Sequence, residues 1–199
     1  MADTRVPALS ATLVGLGRSL GTFAGVAWLC VVTGTVLARV SDASVTAVPA
    51  EWLGISVLAV AFVVTSWLVD GGFDRLGADP SGGLTFVWLA VFFVPLAFLP
   101  TRVTLDAVAN SAGVLDAAFI LATTLFAGWL AFYGGLERLS LAPDDFLQIA
   151  VFVVALGAPP AVVAVLADAS WLTIDPVAVA LALVVQGGAC WLGVRMDVP

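Results

Sequence analysis

The chain has 199 residues, of which 62% are hydrophobic and 11% charged, with seven arginines, no lysine, twelve aspartates, two glutamates and a formal charge of −7. A mean hydropathy of +1.14 is too high for a water-soluble fold of this size, which must still clothe its surface in polar groups. Soluble, disordered, collagen-like and disulfide-scaffold classes are excluded, and a polytopic membrane protein remains.

A helix needs about 20 predominantly apolar residues to cross a bilayer, and six runs qualify. They lie at about 21–37, 52–69, 84–99, 117–133, 146–166 and 177–194. The expected fold class is therefore an all-α integral membrane protein with six transmembrane helices in a single domain over 1–199. Ahead of the first run, Leu9, Leu13 and Leu16 form a helical stripe that continues to Leu20. This segment either lies on the membrane surface or lengthens span one, and the second reading is preferred. A cleaved signal peptide is not expected, because the apolar run is long for an h-region and Arg39 interrupts the small-residue pattern. Gly17, Gly21 and Gly25, at a spacing of four, would give span one a flat face for a neighbouring helix or a second copy. The glycines from Gly15 to Gly21 miss the dinucleotide fingerprint, and no strand precedes them.

Turn and cap residues fill the connections: Asp70-Gly71-Gly72, Asp79-Pro80-Ser81-Gly82-Gly83, Tyr133-Gly134-Gly135, Ala142-Pro143-Asp144-Asp145 and Asp175-Pro176. They leave no room for a separate soluble domain. Span three contains Pro95, and span five contains Pro159 and Pro160; each proline removes a backbone donor and frees a carbonyl one turn earlier. Asp116 enters span four and would lie deep, as a cation or proton site, only if that helix began as early as Ala107. Gln148 near one end of span five and Gln186 in the middle of span six are the only carboxamides in the spans. They either bond helices together or, with Pro159, Pro160 and Asp116, line a pathway for a small solute. Cys30 and Cys190 sit in apolar stretches and read as small buried hydrophobes rather than a disulfide.

The turns after spans two and four echo each other at an offset of 63: Gly71-Gly72-Phe73-Asp74-Arg75-Leu76 and Gly134-Gly135-Leu136-Glu137-Arg138-Leu139. Val45-Thr46, 103–108 and 172–177 repeat an apolar residue followed by threonine. Descent by duplication would make the unit a two-helix hairpin repeated three times about a central axis. The plainer explanation is that short turns of this kind favour a glycine helix cap and an arginine.

Absent residues remove whole chemistries. Without histidine there is no Ser-His-Asp triad, HExxH zinc site or bis-imidazole haem. Without lysine there is no Ser-Lys dyad and no Schiff base for retinal or pyridoxal phosphate. None of the six runs contains Asp, Glu or Arg, which argues against proton relays and ion-coupled transport. No cofactor, no metal site and no catalytic residue are expected, and seven scattered arginines make no nucleic-acid surface. The function expected first is a structural or accessory membrane protein, such as a subunit or scaffold of a membrane complex. The alternatives are a small permease or channel for a neutral or weakly polar solute, and a lipid-acting enzyme using Asp74 with Arg75 or Glu137 with Arg138. Expected partners are membrane lipids and either a second copy or another membrane subunit.

Arginine counting gives the orientation. The side bearing the termini holds Arg5, Arg18, Arg75, Arg138 and Arg195, and the other holds Arg39 and Arg102, so both termini are expected in the cytoplasm with the chain in the cell membrane. Tryptophans gather near the proposed interfaces, with Trp28 alone in mid-span. The carboxylates Asp42, Glu51, Asp106, Asp116, Asp168 and Asp175 fall towards the outer face. The Asp-rich, Lys-free composition resembles that of proteins from salt-in halophiles, a likeness of composition that names no family.

Overall fold

The computed structural model describes residues 5–41, 49–108, 113–166 and 175–195. The loop residues Asp42, Val45, Thr46, Asp168, Trp171 and 172–174 lie outside them. The described residues are all-α, with six helices long and apolar enough to cross a membrane: Gly15–Val40, Glu51–Leu76, Pro80–Ala97, Val114–Phe132, Pro143–Leu166 and Pro176–Arg195. These are spans one to six. In helices the elements run α1 (Arg5–Val40), α2 (Ala50–Trp67), α3 (Phe73–Leu76), α4 (Gly83–Val87), α5 (Val94–Ala97), α6 (Leu99–Val108), α7 (Val114–Phe132), α8 (Gly135–Leu139), α9 (Pro143–Leu166) and α10 (Asp175–Arg195). The segment before span one is continuous with it in α1, a lengthened first helix.

Span three is the centre of the bundle. It is 47% buried, against 11% for span two, which packs on span one and turns most of its side chains outward. Phe86, Leu89, Ala90, Phe93 and Val94 of span three form the main core with Ala127 and Leu130 of α7 and Phe146 of α9. Proline shapes this helix. Pro95 follows a wide turn over Trp88–Phe93, in which the Val94 N–H donates to the Leu89 carbonyl five residues back. The axis then breaks at Phe98 (φ −106°, ψ 18°), two residues before Pro100, and restarts as α6. Residues 103–108, read from the sequence as an outer loop, are thus helical, the later part of an α6 that packs with α10 and α7.

Close crossings are made by glycine. A Cβ on Gly21 would stand 2.7 Å from the Leu84 nitrogen, and one on Gly25 would stand 2.5 Å from the Phe86 ring. Gly17 meets Leu84 Cδ1 at an ordinary 3.7 Å. Gly83 faces back onto Thr22 and the Arg18 carbonyl, so spans one and three touch backbone to backbone. Gly193 does the same between spans six and five, where a Cβ would meet Ile149 Cγ1 at 2.5 Å and its nitrogen at 2.8 Å.

The two echoed turns share one conformation. Gly71 (φ +101°) and Gly134 (φ +66°) reverse the chain in the left-handed region that only glycine enters without strain. A short helix follows each, closed by Gly77 (φ +62°) or Ser140 (φ +54°). The Ala78 N–H then donates to Phe73 O at 3.0 Å, and the Leu141 N–H to Leu136 O at 2.9 Å. The hairpins stand in a row: span three packs on span one to one side and on span five to the other. Spans one and five have no extended packing on each other among the described residues, so no ring closes around a central axis.

Candidate functional site

Gln186 lies where span six passes the break in span three. Its Nε2 donates to the Ala97 carbonyl at 2.9 Å and to Cys190 Sγ at 3.3 Å, while Thr101 Oγ1 donates to Gln186 Oε1 at 3.1 Å. The break at Phe98 turns these acceptors and donors toward span six. In an apolar medium each would otherwise need water or another protein group. Both ends of the carboxamide are therefore held by the end of span three and the start of α6.

Asp116 stands in the first turn of α7, which begins at Val114 after Gly113 (φ +75°) rather than near Ala107. Arg102 of α6 grips it in a fork, Nε to Oδ1 at 2.6 Å and Nη2 to Oδ2 at 2.9 Å. The two side chains are 29% and 27% exposed. Arg39 approaches Gly113 from the end of span one. The carboxylate is thus paired at the end of its span, an arrangement for tying α6 to α7.

The remaining sequence candidates stand on other elements, α9 and the short helices α3 and α8. Pro159 is exposed and Pro160 half-buried within the unbroken α9, and Gln148 is half-buried near the other end of that helix. Asp74, Arg75, Glu137 and Arg138 are exposed. Trp28, placed in mid-span by the sequence, finds a partner there: its Nε1 donates to Thr124 Oγ1 at 3.3 Å.

Three cavities gather instead where spans one, two and four meet the turn after span two, and the five pathway candidates line none of these three. The largest of the three, about 460 Å³, is walled by Gly25, Leu29, Trp67, Phe86, Leu125 and Trp129 among others. It is nearly all apolar, with Thr22, Thr124 and Tyr133 as its hydroxyls. A second, of about 280 Å³, shares Thr22, Leu68 and Phe73 with it and adds Arg18, Ser19 and Asp74. A third, of about 400 Å³, shares Ser19 and Val69 with the second and includes Thr65, Ser66 and Asp70. Thr65 is 8% exposed, and its hydroxyl has no hydrogen-bond partner among the described residues.

The loop below this region is fixed locally. Asp79 caps the turn Pro80–Gly82 by accepting the Ser81 N–H at 2.7 Å, and its own N–H donates to the Phe132 carbonyl at the end of α7. The Ser81 backbone and hydroxyl, with the Arg18 charge adding to them, hold the Asp79 carboxyl below the usual carboxylate range against a small opposing effect of burial. No local pattern announces the cavity, because its walls come from four spans and its polar mouth from residues up to 65 apart, Gly15 to Pro80. The stripe Arg18, Ser19 and Thr22, polar on one side of an otherwise apolar helix, is the one signal that could have marked it.

No protein-family model, curated protein or solved structure matches this chain.

Proposed function

We propose that the chain is a structural or accessory component of a membrane assembly, with a second copy or another membrane subunit as its partner. The observation that carries this reading is the state of Gln186: the one carboxamide deep in a span is tied through its nitrogen to the end of span three and through its oxygen to α6. Uncharged span centres support it, since transport of ions or protons needs groups that bind them at depth. The outward-facing apolar surface of span two, including Ile55, Phe62 and Val63, supports it as the side a partner helix would cover. We place the chain in the cell membrane with both termini in the cytoplasm, on the asymmetry of five arginines against two.

Single-cysteine labelling tests the proposal. Cys30 and Cys190 are replaced, and probe cysteines are set at positions 160, 182 and 186, with Ser140→Cys as a loop control. Position 182 keeps Gln186 intact. An impermeant thiol reagent is expected to leave 160, 182 and 186 unlabelled and to reach 140 only after the membrane is opened. Labelling at the three deep positions would overturn the reading in favour of a permease, and labelling of 140 in intact cells would reverse the orientation.

A further inference from the structure

We propose that the linked cavities between spans one, two and four form a binding site for one phospholipid whose head group carries hydrogen-bond donors. The apolar cavity of about 460 Å³ falls within the roughly 300–1,000 Å³ typical of pockets that enclose a ligand, and its walls suit an acyl chain. Its polar neighbour lies at the end of the spans, where a lipid head resides. There the Arg18 guanidinium has no ion-pair partner among the described residues and presents a planar set of donors to a phosphodiester. Asp74 lines the same cavity and is exposed. A carboxylate beside the arginine disfavours a head with negative charge alone and suits one that also donates hydrogen bonds, such as phosphoglycerol or phosphoethanolamine. Asp79, close enough to feel the Arg18 charge, adds to that preference.

The third cavity supplies an independent sign. Thr65 is nine-tenths buried in a wall that also carries Ser19 and Ser66, and its hydroxyl lacks a partner among the described residues. An unpaired hydroxyl at membrane depth is costly, and although the Thr65 oxygen is itself closed off, a rotation of the side chain into the groove would let an interfacial oxygen of a lipid backbone satisfy it. Because Ser19 and Val69 border both this groove and the polar cavity, one head at Arg18 can direct one chain into each apolar space.

The test is native mass spectrometry of the full chain in detergent, titrated separately with phosphatidylglycerol, phosphatidylethanolamine and phosphatidylcholine. One tightly retained phosphatidylglycerol or phosphatidylethanolamine is expected, with phosphatidylcholine, which lacks head-group donors, retained more weakly. Arg18→Gln should weaken retention about tenfold, the loss of a charge-assisted contact. Asp74→Asn should narrow the preference over phosphatidylcholine. Leu125→Trp, on a side chain 57% exposed at the cavity wall, should fill the space and abolish retention without disturbing the core. Val26→Trp fills the same cavity from span one and serves if the first variant does not fold. Equal retention of all three lipids, or wild-type retention by Arg18→Gln and the cavity-filling variant, would overturn the site.

Discussion

Replacing Gln186 with leucine removes the two bonds that join span six to span three while keeping an apolar side chain of similar reach. The bond to Ala97 O is 2.9 Å and that from Thr101 is 3.1 Å; the contact with Cys190 lies within span six and adds little between helices. Interhelical hydrogen bonds in membranes average about 0.6 kcal/mol each, so Gln186→Leu should destabilise the bundle by about 1 kcal/mol. Thr101 limits the loss, because its hydroxyl can turn to a carbonyl of its own helix. In a chain of this length that is a fall of roughly 2–4 °C in Tm. Thermal unfolding in detergent, followed by circular dichroism, measures it for Gln186→Leu, Thr101→Val and the double variant. The pair should be non-additive by about 0.5 kcal/mol. Unchanged stability in Gln186→Leu would refute a joining role and return Gln186 to the candidates for lining a pathway, and additive effects in the cycle would refute the Thr101 bond.

Two further predictions rest on backbone approach and on a cap. Gly21→Ala should cost about 1–3 kcal/mol, since its Cβ would stand 2.7 Å from the Leu84 nitrogen, whereas Gly17→Ala should be nearly neutral at 3.7 Å from a flexible Leu84 methyl; parallel melts of the two variants decide this. Asp79 has a carboxyl held below its unfolded value of about 3.9, so its contribution is present above that pH and is lost as the pH falls through the lowered value. Wild type should therefore melt higher than Asp79→Asn at pH 7, with the gap narrowing as the pH falls below the ordinary carboxylate range and closing once the lowered value is passed; a gap that persists in strong acid would show that the cap does not act through the carboxylate.

The membrane class, the number of spans and the turn chemistry could be read directly from residues, because each depends on neighbours close in the chain. Apolar run length sets a span, and paired glycines at 71–72 and 134–135 set the reversals whether or not the hairpins descend from a common unit. Gly17, Gly21 and Gly25 were recognisable as a flat face, yet only the approach of span three distinguishes Gly21 and Gly25, which have no room for a Cβ, from Gly17, which does. Pro100, two residues beyond the break at Phe98, was the available sign that span three would restart as α6 rather than end in a loop.

Partners far apart in sequence were beyond the sequence's reach. Gln186 read first as a group joining helices and second as a pathway lining, and its partners were unnamed until Ala97 and Thr101, 89 and 85 residues away, were brought beside it. Asp116 had no visible partner until the turn at Gly113 set α7 against α6 and placed Arg102 across from it. The cavity required the row of hairpins to leave space between spans one, two and four, a consequence of which faces pack and which stay apart. Hydropathy determines that a helix enters the membrane because that transfer is a property of the segment alone. Tertiary structure decides what each polar group there does, since a lipid-embedded donor or acceptor takes its meaning from the single group that packing brings within reach.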